Sequence, residues 1–502
     1  MIPILNSEQI RKADAHTIAT EPIASIDLMD RASSAFCKQF TKLYPNSTLI
    51  YVVCGIGNNG GDGLAIARIL AEQDYQIKLF FIGDLERASE DFQVTFSRIK
   101  QKLVINQISD ANSISDFSSD AVIIDALFGS GLNRPIKGLA CDVIQRINAS
   151  GCEVCSVDMP SGLMMDQPTD SEIIIRSRNT ISFQNPKLAF MQPALYQYVG
   201  EWHLVDIGLS IDCFDPQDFQ KYLTEQRDIV IPKRGRFDHK GTAGHLLLMA
   251  GSKGKIGAAL LAARAAIGAG CGLLTVHGPG CGLNILQIGL PEAMYDADPT
   301  KDHLSKLPKL DAYNAIAIGP GIGTSKEVLN LMRQLLIESH CPIVLDADAI
   351  NIISENRALI DLLPPETILT PHPGEFRRLV GDWKNDFEKL ELLQNFCIKQ
   401  KVNMVLKGAF SAVCDSKGNI YFNPNGNPGM ATGGSGDVLT GIIGSLLAQG
   451  LSQFDALRTG VFLHGNAGDL AAEEKGQLSM MASDLIFCVP IAIRLLGNVK
   501  EG

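Results

Sequence analysis

Short apolar runs alternate with amphipathic stretches along almost the whole chain. Such alternation marks βαβ units, where a strand covered on both faces reads as an unbroken apolar run and the crossover helix carries the longer period. In the first half the pattern predicts strands over 49–53, 77–81, 121–125, 153–157 and 179–183. In the second half it predicts strands over 245–250, 273–276, 315–318, 343–346, 367–370, 404–407 and 411–414. Asn6 or Ser7 is expected to cap the first helix. The stretch "SIDCFDPQDFQKYLTEQRD", 210–228, interrupts the series with polar residues that lack strand alternation, so a domain boundary is expected near 213–225. The expected fold class is α/β, with two domains, 1–213 and 225–502, each a mainly parallel sheet between helices. The two series share no motif that aligns, and no duplication is inferred.

A length of 502 residues fits two large domains, because single cores stop growing at roughly 250–300 residues. With 46% hydrophobic residues and 47 glycines, the composition suits packed layers and excludes an extended disordered chain. The 44 basic against 55 acidic residues leave a net charge of −11, which argues against nucleic acid or an anionic membrane as the main partner. The longest weakly polar stretch, 257–276, holds Arg264 and several glycines and suits a tightly packed helix and strand, not a bilayer span. "MIPILNSEQIRKAD" at the start lacks the charged and apolar regions of a signal peptide. The twelve cysteines are scattered without paired metal-ligand spacing and are expected to be buried thiols of a reducing cytoplasm.

Candidate chemistry gathers where the strands end. "GIGNNGGDG", 55–63, follows directly on an apolar run. In open α/β sheets, ligands lie beyond the carboxyl ends of strands, where glycines admit close backbone approach and helix N-termini offer unpaired N–H groups. A lone glycine turn is as often a tight connection, but Asn58, Asn59 and Asp62 add polar groups that packing does not require. "VIIDALFGSGLNRP" ends a strand on Asp125 and continues into a second glycine turn with Arg134 close behind. "CSVDMPSG" puts Asp158 at another strand end, shortly before Ser161. One such aspartate is commonly a helix cap, whereas three polar strand ends side by side point to a site. Asn59, Asp125 and Ser161 offer the hard oxygen donors that suit a monovalent or divalent cation.

The second half carries "NPGMATGGSGDVLTG", a glycine turn with Asp437 just before an apolar helix. Main-chain N–H groups and the helix dipole there can hold transferring phosphates while the carboxylate addresses a hydroxyl, although an aspartate cap would look the same. "TPHPGEFRRL" frames His372 between two prolines, near Glu375, where it could face a cleft or simply the surface. "VLKGAFSAV" ends a strand on Lys407, a cation for a nucleotide phosphate or a solvated lysine. "AIGPGIGTS" adds another glycine turn, and "VLDADAIN" supplies Asp346 and Asp348, which could reach a magnesium-bound phosphate.

As a set, "GIGNNGGDG", "DALFGSGLNRP", "SVDMPSGL" and "TISFQNPKLA" resemble the successive signatures of the NAD(P)H-hydrate epimerase module, a Rossmann-like domain, over most of 1–210. The resemblance implies that Asn58, Asn59, Gly60, Gly61 and Asp62, with Gly129, Ser130, Gly131, Leu132, Asn133, Arg134 and Pro135, hold the hydrated nicotinamide dinucleotide. It further implies a potassium ion on Asn59, Asp125 and Ser161, with Asp158 at the reacting ring as a proton carrier. After "PSGL" the chain continues "MMDQPTDSE", more polar than the short glycine turn usual in that family.

"HKGTAGHLLLMAGS", "GPGIG", "DADAIN", "TPHPGEF", "KGAFS" and "NGNPGMATGGSGDVLTG" resemble the ADP- or ATP-dependent NAD(P)H-hydrate dehydratases of the ribokinase-like superfamily, over about residues 225–495. By that resemblance Ala258, Gly321, His372 and Asp437 contact the hydrate, while Lys407, Gly408, Ala409, Phe410, Ser411 and Gly436 hold the adenine nucleotide. Ser411 stands where the family more often has threonine, and Ile350 where it has leucine. The implied protein is both isomerase and lyase. It interconverts R and S hydrates, phosphorylates the C6 hydroxyl of the S form from ADP with magnesium and Asp437 as base, and eliminates phosphate to leave NAD(P)H and AMP. Such proteins are usually homo-oligomers.

Two other readings stay open at this level. The ribokinase-like logic alone would suit a small-molecule or vitamin kinase with a dinucleotide-binding scaffold domain, against which "TPHPGEF" beside "GSGD" speaks. Epimerase-like modules also serve as scaffolds in messenger-RNA decapping proteins, against which the net acidity and the oxygen-donor set speak.

Overall fold

A computed structural model describes residues 1–111 and 117–497. The backbone divides into two compact units, one made mainly of Ile2–Phe219 and the other of Gln220–Lys384 and Glu388 onward.

In the first unit seven parallel strands form one sheet, in the order Ile105–Gln107, Gln76–Phe81, Leu49–Cys54, Val122–Ala126, Glu153–Val157, Asn179–Phe183 and Glu201–Val205. The three central strands are almost wholly buried, as expected where helices cover both faces. Strand order reverses between Leu49–Cys54 and Val122–Ala126, so the crevice for a ligand opens beyond Cys54 and Ala126. Asn6 caps the first helix, Ser7–Thr20, in a capping box with Gln9.

The glycine turn expected over 55–63 is shorter than the sequence suggests. Only Gly55–Gly57 is a turn; helix Asn58–Ala71 has already begun at Asn58, and Gly60, Gly61 and Gly63 sit inside it. None of these glycines has a positive φ. They are small because neighbours press on them: a Cβ on Gly60 would collide with the Gly55 carbonyl oxygen, and one on Gly63 would lie 2.7 Å from Cys54 Sγ. The glycines thus seat the helix N-terminus directly on the strand ends.

The sheet of the second unit runs Lys221–Leu223, Ile420–Phe422, Ala412–Cys414, Asn403–Leu406, Ile368–Leu369, Ile343–Leu345, Ala315–Ile318, His245–Met249, Leu273–Gly278 and Met294–Ala297. Only the pairings around Ala412–Cys414 are antiparallel. Lys221–Leu223 falls inside the segment expected to be a polar connection; three residues are too few to show alternation. The order reverses around His245–Met249.

Helix Ser435–Ala448 buries Val438, Leu439, Ile442, Ile443, Leu446 and Leu447, a helical repeat in which each buried side chain contributes about 1.5–3 kcal/mol. It packs on helix Ile256–Gly268 so closely that a Cβ on Gly441 would collide with the Ala262 carbonyl oxygen. The stretch 257–276 resolves into that helix and strand Leu273–Gly278. Among the described residues no helix is long and apolar enough to cross a membrane. All twelve cysteines are free.

Two candidate active sites

At the first reversal of strand order lies a cavity of about 630 Å³, lined by Asn58, Asn59, Asp62, Gly129, Ser130, Gly131, Leu132, Asn133, Arg134 and Asp158. Gly60, Gly61 and Pro135 do not line it; the two glycines are buried in the helix beneath. Asp158 is the most constrained of these residues. It is 6% exposed and holds φ at +63°, a conformation costing a non-glycine residue about 1–3 kcal/mol. Its Oδ1 accepts from Ser182 Oγ at 3.0 Å and Phe183 N at 3.3 Å, and lies 3.1 Å from the ammonium of Lys187, which is itself 2% exposed. Lys187 also donates to the carbonyls of Phe183 and Asn185. Burial alone would raise Asp158, but the ammonium and the hydroxyl and N–H donors outweigh it and hold the carboxyl below the usual range.

Two further carboxyls share this cavity. Burial, then the Asp158 charge, pushes Asp14 up to about 6. The same causes, with Asp14 added, push Asp62 well above the ordinary carboxylate range.

Asp125 and Ser161 lie fully buried below the cavity. Asp125 accepts from Ser161 Oγ at 2.5 Å, Ser161 N at 2.8 Å, Ser156 Oγ at 2.8 Å and Leu127 N at 3.3 Å. Ser161 Oγ in turn accepts from Phe128 N. Asn59 lies against Gly129, the residue after Phe128: a Cβ there would sit 2.8 Å from Asn59 Oδ1. These residues fit a hard monovalent cation. Their donors are oxygens, the buried Asp125 carboxylate meets hydroxyl and N–H donors but no ammonium or guanidinium among the described residues, and the Asn59 side-chain nitrogen is buried without a partner, a position that a half-turn of the amide gives to oxygen.

The second cavity, about 810 Å³, lies past the ends of strands Ile343–Leu345, Ile368–Leu369 and Asn403–Leu406. His372, Lys407, Gly408, Ala409, Ser411, Gly436 and Asp437 line it, while Phe410, Ala258 and Gly321 do not. Ala258 and Gly321 lie together at the reversal of strand order, a Cβ on Gly321 being 3.4 Å from Ala258 Cβ. Gly434, with φ at +92°, turns the chain into helix Ser435–Ala448 and sets Asp437 in its first turn. Burial and the negative charge of Asp346 raise Asp437 to about 6 despite Lys407. His372 caps helix Pro373–Val380: its Nδ1 accepts from Gly374 N at 3.0 Å, and its backbone N–H donates to Glu375. This leaves Nε2 at 3.4 Å from Glu375 Oε1 and the ring half exposed to the cavity.

Asp346 and Asp348 do not stand free to meet a metal. Asp346 accepts from Thr370 Oγ1 and Thr440 Oγ1, each at 2.7 Å, and from Lys407 Nζ at 3.0 Å. Asp348 accepts from Gly323 N at 2.8 Å and Lys255 Nζ at 3.3 Å. Among the described residues no three acidic, histidine or cysteine side chains form a metal cage. The cavity fits a magnesium ion that arrives on a nucleotide's phosphates, not a resident one. His464, half-buried beside Ser435 and bonded to its carbonyl, is lowered to about 4 by loss of solvent around the ring and is a neutral imidazole.

The halves match two families separately. Residues 25–189 match the family described as the YjeF-related protein N-terminus, and 246–490 match the family described as NAD(P)H-hydrate dehydratase. Relatives span both halves at once. A bifunctional NAD(P)H-hydrate repair enzyme of Moorella thermoacetica is 34% identical over 501 residues, covering 95% of this chain and 94% of its own length. The chain belongs to the family of bifunctional NAD(P)H-hydrate repair enzymes. Another member, from Coxiella burnetii, is 34% identical over 97% of this chain and 98% of its own. A crystal structure of ADP/ATP-dependent NAD(P)H-hydrate dehydratase from Bacillus subtilis, co-crystallized with ATP/Mg2+, is 30% identical and covers 55% of this chain and 98% of its own, with a TM-score of 0.48.

Against this family background, the sequence reading passed over Lys187 and Asp14. Lys187 lies inside "TISFQNPKLA", where the buried polar run around it was the available signal. Asp14 sits in "IRKADAHTIA", which reads as the solvated face of a helix. The loop "MMDQPTDSE" gains a use: Asp166 accepts from Ser7 N at 2.9 Å and Ser7 Oγ at 3.0 Å, tying the start of helix Ser7–Thr20.

Proposed function

We propose that this chain repairs hydrated NADH and NADPH in two steps, with an epimerase domain over 1–213 and an ADP-dependent dehydratase domain over 225–502. The observation that supports this most is the second cavity, where Asp437 at a glycine-opened helix N-terminus, Lys407 and the Gly408–Ser411 turn converge as a phosphoryl transfer to a hydroxyl requires. The relatives that cover both halves are named for that repair.

In the first cavity Asn58, Asn59 and Asp62 with Gly129 to Arg134 hold the hydrate, and Asp158 takes and returns a proton as R and S forms interconvert. Asn59, Asp125 and Ser161 would hold potassium, whose charge would offset that of Asp125. His372 and Asp437 in the second cavity contact the S hydrate, which extends to Ala258 and Gly321 outside the cavity lining, and Lys407, Gly408, Ala409, Ser411 and Gly436 hold ADP. Asp437 removes the C6 hydroxyl proton, the terminal phosphoryl of ADP passes to that oxygen with AMP leaving, electron push from the ring nitrogen expels phosphate, and loss of a C5 proton to solvent restores the ring double bond. Magnesium, carried on the nucleotide, offsets phosphate charge. The protein works in the cytoplasm as a homo-oligomer, without a nucleic-acid or membrane partner.

Purified protein mixed with R and S hydrates and either ADP or ATP, with and without potassium, tests this reading. The expected outcome is return of reduced-nicotinamide absorbance with ADP, and consumption of both epimers by chromatography only when potassium is present. Absence of any NAD(P)H product, or a stable phosphorylated alcohol, would overturn it.

A further inference from the structure

We propose that Asp14 is a second acid–base residue of the first cavity, donating a proton to the ring nitrogen of the hydrate while Asp158 accepts one from the C6 hydroxyl. This rests on the epimerase reading given above. Arg11, Asp14 and Ile18 recur at helical spacing and line the same cavity as Asp158. The helix that carries them is tied at three points: the Asn6 capping box, Asp166 on Ser7, and Thr17 Oγ1, which accepts from Ser210 N at 2.9 Å. Its adjoining face is buried through Ala13 and Thr17. Asp14 therefore reaches the cavity from a fixed wall, with a carboxyl that no hydrogen bond among the described residues occupies.

The charged and titratable groups around it are Arg11 on its own helix, Asp62, Asp91, Arg134, Asp158 and Lys187. The ammonium of Lys187 lies on Asp158 and holds it ionised. Burial and that same anion favour the protonated form of Asp14. A pair of carboxyls driven apart in this way divides into base and acid.

The step balances without an outside reactant. Asp158 takes the hydroxyl proton, the C6–oxygen bond becomes a carbonyl, the C6–N1 bond breaks, and N1 receives the Asp14 proton. Rotation about the bond to the freed aldehyde exposes its other face. N1 re-attacks, its proton returns to Asp14, and Asp158 returns the other to oxygen, giving the opposite epimer.

The test follows R-to-S conversion by chromatography in the full chain without ADP, across pH 5 to 8. Wild type is expected to lose kcat/KM as pH rises through about 6, the value at which Asp14 gives up its proton. Asp14→Asn is expected to slow conversion at least about 100-fold, to lose that alkaline fall in the residual rate, and to bind hydrate as wild type does. Asp14→Glu is expected to recover part of the rate. A wild-type profile with no fall above pH 6, or an Asp14→Asn protein within threefold of wild type, would overturn the proposal while leaving the epimerase reading intact. A wild type that fails to interconvert the hydrates removes both. Should Asp14→Asn not fold, the wild-type profile and Asp14→Glu decide.

Discussion

Both cavities contain a buried carboxylate gripped by an ammonium, yet the two pairs are placed differently. In the first, Lys187 holds Asp158, the candidate reacting group, and keeps it ionised. In the second, Lys407 holds Asp346, buried in the cavity wall, and Asp437 is left to rise to about 6. Similar strand-end architecture therefore presents a weak base in one half and a stronger one in the other. Which carboxylate the ammonium holds decides the proton affinity of the one that faces substrate.

The largest effect should come from removing the stronger base. Asp437→Asn is expected to slow ADP-dependent return of nicotinamide absorbance by about 100- to 10,000-fold while leaving R/S interconversion unchanged. Lys187→Met should come next. Breaking a buried pair by removing one partner costs about 3–5 kcal/mol, read from the denaturant midpoint of unfolding. Asp158 sits low in the folded chain, so this loss is full above the unfolded carboxyl value and shrinks as pH falls and Asp158 is protonated anyway. The acid limb of epimerisation should move upward in the same variant. A midpoint unchanged at neutral pH would sink the contrast between the cavities.

A smaller effect concerns pH alone. Dehydration should lose kcat/KM, with a one-proton slope, as pH falls through about 6, because Asp437 must be ionised to act. Asp346→Asn removes the neighbouring negative charge and should move that limb downward by about one pH unit. Thr440→Val removes one donor to Asp346 and should cost about 1 kcal/mol of stability with a barely altered limb.

The strand ends were legible because parallel strands buried on both faces leave unbroken apolar runs, and an aspartate that ends such a run stands out, as Asp125 and Asp158 do. Asp437 was legible through its glycines. What escaped depends on neighbours remote in sequence. Gly60 and Gly63 owe their identity to the Gly55 carbonyl and Cys54, and nothing local separates that demand from a loop's need for flexibility. Lys221–Leu223 and Ile105–Gln107 are strands of three residues, too short for a period to appear. Lys187 becomes meaningful only once Asp158 is beside it.

The close crossing at Gly441 reaches into the chemistry. Ala258 stands on the first turn of helix Ile256–Gly268 and Asp437 on the first turn of helix Ser435–Ala448, and the two rods touch main chain to main chain just beyond. Their spacing is set by a gauge block with no side chain to adjust. A methyl group added at Gly441 would wedge the rods and change how far apart Ala258 and Asp437 are held, from a position several residues away from either.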